Sequence, residues 1–321
     1  MKNIVLPIAL FALTAAPVLR AQEGSVPTQA LVQLDSKNPQ PLGVSNMTLK
    51  IDNHPTQVQA VVQVLPARAQ VALLIDDGLR TSFGRNLEDL TTFVNGLPAG
   101  IEVLIGYMQN GGVVVAQPFT TDHAAAAAKL RIPFGQAGMS ASPYFCLSEF
   151  AKRWPGAAPE GPRNPEALAP LGPASAGARK ARFVLMITNG VDPYNGSTSL
   201  MNQNSPYVDT AVRDAQRAGV AVYSIFFSDA GFRGGRANFS GQSYLAEVAE
   251  GTGGTAYFQG TSNPVSLIPF FEQFEKSISE TYVATFDAAG RDLVRIKAST
   301  DLPKTKLRTA QLVRPGTQLA D

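Results

Sequence analysis

Three apolar runs, Val71–Ile75, Phe183–Ile187 and Val220–Phe227, constrain this chain more than any other feature. Each is continuous rather than alternating, the pattern of a strand covered on both faces. Segments of helical spacing lie among them. Asn86–Leu97 sets Leu87, Leu90, Phe93, Val94 and Leu97 on one stripe. Pro143–Trp154 reads as a second helix, Tyr207–Ala218 as a third stopped by Gly219, and Gln242–Glu250 as a fourth. Asn263-Pro264 opens a last helix running to about Glu280. Ile101–Tyr107 and Val113–Phe119 are strands joined through the Asn110-Gly111-Gly112 turn, and Thr255–Phe258 is a short strand. Thr121-Asp122 caps an alanine-rich helix reaching about Leu130. The alternation predicts an α/β fold over residues 67–280. It is doubly wound and Rossmann-like, a mostly parallel sheet with helices on both faces.

The flanks differ. Residues 22–66 hold short strand-like runs, Ala30–Leu34, Met47–Ile51 and Val58–Val62, separated by the turn-rich Asp35–Pro39 and Asp52–Pro55. Residues 281–315 return to strands at Thr281–Phe286, Leu293–Ala298 and Lys306–Val313. Together they predict a small antiparallel β unit built from both ends of the chain, with 316–321 as a loose tail. Residues 155–180 form a Pro/Ala/Gly-rich loop; Trp154 to Lys180 carries six prolines and four glycines. Its composition favours disorder over a partner-binding loop.

Met1–Ala21 has the layout of a secretory signal peptide: a basic start, an apolar stretch from Ile4 to Leu19, and small Ala21 before Gln22. The chain is therefore expected to be secreted or periplasmic. No later segment is apolar for long enough to span a bilayer. Removing Met1–Ala21 takes Lys2 and Arg20 from the 27 basic residues, which leaves 25 against 25 acidic ones. A neutral chain lacks the clustered charge that nucleic acid demands. Cys146 is the only cysteine, so no internal disulfide forms. It sits in an apolar run and reads as a small buried hydrophobe.

Val71–Asp76, an apolar strand ending in Asp at the head of a series of αβ units, resembles the first strand of a von Willebrand factor type A domain. Val184–Asp192 resembles that family's fourth-strand segment, Val220–Ile225 its fifth strand, and Glu247–Phe258 with Thr252-Gly253-Gly254 its helix, glycine turn and short strand. Leu31–Val62 and Tyr282–Pro315 are similar to the regions bordering the domain in the acidobacterial-type proteins called VWFA-related.

The resemblance implies a metal-ion-dependent adhesion site at the carboxyl ends of the strands, built from Asp-x-Ser-x-Ser, a Thr and a second Asp. Magnesium wants six hard oxygens at about 2.1 Å. This chain departs from the pattern. Asp76 matches the first carboxylate, but Gly78 and Arg80 stand where the hydroxyls belong, and starting from Asp77 instead repairs only one position. Ser140 stands in for the threonine and Asn189 for the last aspartate. Any divalent cation would rest on Asp76 and Ser140. The alternative is that Arg80 fills the cation position itself, pairing with Asp76 or Asp77 beside Ser140 and Asn189. Asp192, in a turn after the fourth strand, belongs on the same rim, and the glycine- and arginine-rich Ser228–Gly241 reads as a binding loop.

The reading that follows is a secreted, non-catalytic, protein-binding or adhesion-type module, working without a cofactor through these loops. A structural or assembly component of an envelope complex is the alternative, its β flanks pairing with another sheet's edge. A serine hydrolase would need Ser140 or Ser142 as nucleophile with His123 as base, in a segment that lacks the second glycine of a nucleophile elbow.

Overall fold

The chain opens with β1 (Val26–Asp35), β2 (Met47–Ile51), β3 (His54–Thr56) and β4 (Val58–Gln63). There follow β5 (Ala69–Asp76), α1 (Leu87–Gly96), β6 (Glu102–Gln109), β7 (Gly112–Thr120), α2 (His123–Ala127) and α3 (Pro143–Lys152). Next come β8 (Ala181–Thr188), α4 (Pro206–Arg217), β9 (Val220–Phe226), α5 (Gly234–Thr252), β10 (Ala256–Tyr257) and α6 (Ile268–Ser279). The last strands are β11 (Thr281–Ala288), β12 (Val294–Thr300), β13 (Lys306–Thr309) and β14 (Leu312–Val313). This computed structural model describes residues 24–136, 139–155, 179–194, 205–228, 234–260 and 262–319.

The central sheet runs β10-β9-β8-β5-β6-β7. Every pair is parallel except β6 with the edge strand β7. Counting the strands of this sheet in chain order gives 3-2-1-4-5-6 from the β7 edge, the doubly wound order. Every residue of β5 and of β9 is buried, which is why these runs carry no polar alternation. Helices α1, α2 and α6 cover one face against Val71, Leu73 and Ile75 of β5. Phe93 of α1 stacks on Phe271 of α6, ring centroids 4.3 Å apart. Helices α3, α4 and α5 cover the other face against Ala72 and Leu74. The antiparallel pair β6–β7 turns through Asn110 and Gly111, both at positive φ, as a tight hairpin requires.

The flanking unit is two four-stranded sheets, β13-β1-β11-β4 and β14-β12-β2-β3. Val32 and Leu34 of β1, Phe286 of β11, Leu49 of β2 and Ile296 of β12 share one core between them. The other face of the first sheet sends Leu31 and Val283 into the core under α6. Gln33 on that face accepts a hydrogen bond from the hydroxyl of Tyr223, 3.3 Å away on β9. β1 is thus buried on both sides and ties the flanking unit to the α/β layers.

Several boundaries differ from the sequence reading. The run Lys306–Val313 is two strands in different sheets, because β13 pairs with β1 and β14 with β12. The glycine-rich stretch before Gln242 is not all loop: α5 begins at Gly234. Helix α6 starts at Ile268 rather than Pro264, since the Asp89 carboxylate of α1 accepts from Ser266 Oγ and Leu267 N and holds that segment out of the helix. The alanine helix is short, ending at Ala127. The expected loose tail is docked. Leu319 is buried, its N–H donates to Gln29 Oε1, and Gln318 donates to the carbonyl of Pro27. Residues 1–21, expected to be a signal peptide, and residues 156–178 of the proline-rich loop lie outside the described residues. Among the described residues no helix is long and apolar enough to cross a membrane.

Candidate binding rim at the carboxyl ends of the strands

β5 ends at Asp76 and Asp77 opens the turn after it, and the two adjacent carboxylates point in different directions. Asp76 is buried and turns inward. Its Oδ1 accepts from Gly78 N at 2.9 Å and its Oδ2 from the Thr188 hydroxyl at 2.7 Å, where β8 ends. Asp77 has no exposed side-chain surface, yet it gathers donors from across the mouth. Arg131 grips it with both terminal nitrogens, Nη1 to Oδ1 at 2.7 Å and Nη2 to Oδ2 at 2.8 Å. Gln109 Nε2 at the end of β6 donates to Oδ2, and Phe134 N donates to Oδ1 at 3.1 Å. A buried carboxylate is stable only when its charge and lone pairs are matched in this way.

Arg131 is itself held tightly. Its Cζ lies 3.8 Å from the Tyr107 ring centroid and 4.1 Å from that of Phe134. Its backbone N–H donates to the Tyr107 hydroxyl at 2.6 Å. The hydrogen bond to Asp77 holds the guanidinium's pKa above its ordinary value. Burial, chiefly, raises that of Tyr107, keeping the phenol neutral. The segment 131–136 is therefore strapped over the end of β5, with Gly135 N also donating to the carbonyl of Asp77.

The other expected rim residues are placed as follows. Gly78 is buried, and a Cβ there would stand 3.1 Å from both Asp76 Oδ1 and the Gln136 carbonyl, leaving little room for a serine. Arg80 is exposed just before the 3-10 turn Thr81–Asn86. Ser140 is buried, and its carbonyl accepts from Gly111 N and from the Cys146 thiol. Asn189 folds its Oδ1 back onto Val191 N. Gly190, at positive φ, lets this loop meet α5 at Gly241, where a Cβ would sit 2.1 Å from the Asn189 carbonyl. Asp192 is buried, accepting from Ser205 Oγ at 2.6 Å and Tyr194 N at 3.1 Å. It ties the β8 loop to the start of α4.

These residues do not fit a divalent cation. The oxygens of Asp76 and Asp77 already receive hydrogen bonds, Gly78 adds none, and Asn189 is turned to its own backbone. A guanidinium at 2.7 Å already supplies the positive charge that Asp77 needs. Among the described residues no three His, Cys, Asp or Glu side chains cluster as a metal site. Nor is the serine–histidine pair assembled. Ser142 is the buried N-cap of α3, accepting from Tyr144 N. His123 lies on α2, across the sheet from α3, and its Nε2 is 2.8 Å from the carbonyl of Ile101 at the opposite end of β6. Burial pushes the Cys146 thiol up, so it stays protonated.

Arg131, Gln109, Phe134 and Thr188 are the rim residues that sequence reading did not find. Thr188 was legible as the end of the β8 run. Arg131 was not, because only the path of the chain after α2 brings it to Asp77.

Large apolar side chains are exposed around this mouth: Ile132 and Phe134 on the strap, Tyr194 after β8, Phe258 after β10, and Val265 and Ile268 at the start of α6. Asn86 Nδ2, at the end of the 3-10 turn, donates to the Val265 carbonyl, which draws this last group to the same rim.

No protein-family model matches the chain, and no curated protein matches it. Solved structures do. A von Willebrand factor type A protein from Catenulispora acidiphila superposes with a TM-score of 0.46 at 9% identity, over 93% of this chain and 67% of that one. The ArnB paralog VWA2 from Sulfolobus acidocaldarius gives 0.38 at 7% identity, over 89% and 76%. The SpRpn10 VWA domain gives 0.34 at 12% identity, over 64% and 94%. At such identities the likeness concerns the fold alone.

Proposed function

From a von Willebrand factor type A-like fold whose rim does not fit a cation, we propose that this chain is an exported protein-binding module that captures a partner without metal. The observation that carries this reading is the company around Asp77. A fully buried carboxylate pins a strap whose outward side chains, Ile132 and Phe134, are apolar and exposed. Exposed apolar side chains grouped on one rim mark interaction sites, and aromatic and Arg residues dominate binding energy at interfaces. Export rests on the charged, apolar and small-residue order of Met1–Ala21. The rim reading is non-catalytic, because its carboxylates are already engaged by donors within the rim.

A photo-crosslinking amino acid placed at position 134, in the full chain in its native host, tests this. An adduct is expected from position 134 and not from position 62, where Val62 is an exposed apolar residue on β4. Chelation by EDTA should leave the adduct unchanged. An adduct at 62 alone would instead favour the assembly role, through the flanking sheets.

A further inference from the structure

We propose that the Nε–Nη2 edge of Arg131 is a preformed receptor for one carboxylate, an Asp or Glu side chain of the protein partner. This deepens the proposed function and rests on it.

A guanidinium has five N–H donors. Three are engaged: Nη1 donates to Asp77 Oδ1 and to the Ile132 carbonyl, and Nη2 donates to Asp77 Oδ2. Two rings within about 4 Å of one planar carbon cannot share a face, so Tyr107 and Phe134 cover both faces. The side chain nevertheless remains 34% exposed. With both faces and the far end closed, that exposure falls on the stem and on the edge carrying Nε–H and the second Nη2–H. Among the described residues neither of these hydrogens meets an acceptor. Such an edge sets two parallel donors at the spacing of carboxylate oxygens.

The surroundings select the ligand. The guanidinium is immobilised before any partner arrives, so docking orders no long side chain. Arg85 is exposed on the neighbouring 3-10 turn and adds positive potential. Asp76 and Asp77 behind the guanidinium oppose a second negative charge, which favours a carboxylate over a phosphate. Ile132 and Phe134 beside the edge suit an apolar residue next to the partner's acid.

The test uses the full chain labelled with 15N-arginine. The Nε–H resonance of Arg131 is assigned by its loss in Arg131→Lys. Should that variant not fold, Phe134→Ala assigns it by removing a ring-current shift. The probes are N-acetyl-Glu-Phe-amide, N-acetyl-Gln-Phe-amide and inorganic phosphate. The glutamate peptide should move the Nε–H resonance downfield to saturation, at least about fivefold more weakly in 0.5 M NaCl, where charges are screened. The glutamine peptide and phosphate should produce no saturable shift. An unmoved Nε–H resonance, or an equal response to phosphate, overturns the proposal. If both peptides shift Ile132 and Phe134 signals while Nε–H stays still, the carboxylate receptor is overturned and rim binding stands.

Discussion

The two ends of the central sheet use polar side chains in different ways. At the amino ends they fasten neighbouring elements to each other. Gln70 of β5 donates to Glu102 of β6 and accepts from Trp154 Nε1 at 2.9 Å, while Lys180 before β8 pairs with Glu102 at 2.7 Å. At the carboxyl ends the carboxylates of Asp76 and Asp77 join Thr188 of β8 and Gln109 of β6 and also hold loops, one of which carries the exposed ring of Phe134. The same chemistry, a buried acceptor matched by donors, fastens elements together in one place and braces a loop over the strand ends in the other. What separates them is that only the carboxyl-end cluster also pins a loop, 131–136, whose side chains Ile132 and Phe134 stand exposed.

Substitutions at each end sharpen this contrast. Trp154→Ala should cost most, about 3–5 kcal/mol, because it removes a fully buried ring packed on Phe119 and Phe150. Urea denaturation would register it, and crosslinking from position 134 should persist in the protein that remains folded. Arg131→Met should cost roughly 2–4 kcal/mol, since it leaves Asp77 buried without its counter-charge; the discount from a wholly buried pair reflects the guanidinium's partial exposure. A loss below about 0.5 kcal/mol would show that Asp77 is not held as described.

Phe134→Ala inverts the pattern: stability should change by about 1 kcal/mol or less, as for a side chain that is mostly exposed, while partner capture should fall at least about tenfold. Equal capture would break the assignment of the rim. The smallest effect belongs to Arg217→Ala, at the pair between α4 and Asp292 before β12. Such an exposed pair contributes only about 0–1 kcal/mol. Hydrogen bonding to Arg217 lowers the Asp292 pKa. A depressed carboxylate stabilises the fold above its unfolded pKa and loses that contribution as pH falls through the folded value. The difference between wild type and variant should therefore be present at neutral pH and vanish in strong acid.

The contrast also explains what the sequence made legible. β5, β8 and β9 were readable because burial on both faces erases polar alternation, and Asp76, Asp77 and Gly78 followed from where β5 ends. The division of Lys306–Val313 between two sheets was not, because pairing partners far along the chain decide it. Arg131 was missed for a related reason. Pro133 between Ile132 and Phe134 marks an extended segment, but nothing local says that it crosses 54 positions back to Asp77. Arg80, closer in sequence, is the cation that local reading places beside these carboxylates, and Arg131 reaches Asp77 from farther along the chain.

Crystals of the full chain soaked in manganese chloride give the most direct measurement, through an anomalous difference map at the carboxyl ends of β5 and β8. Arg131 should still grip Asp77, with no anomalous peak beside Asp76 or Asp77. A fully occupied, octahedral manganese ion on those carboxylates, with the guanidinium displaced, would contradict the account.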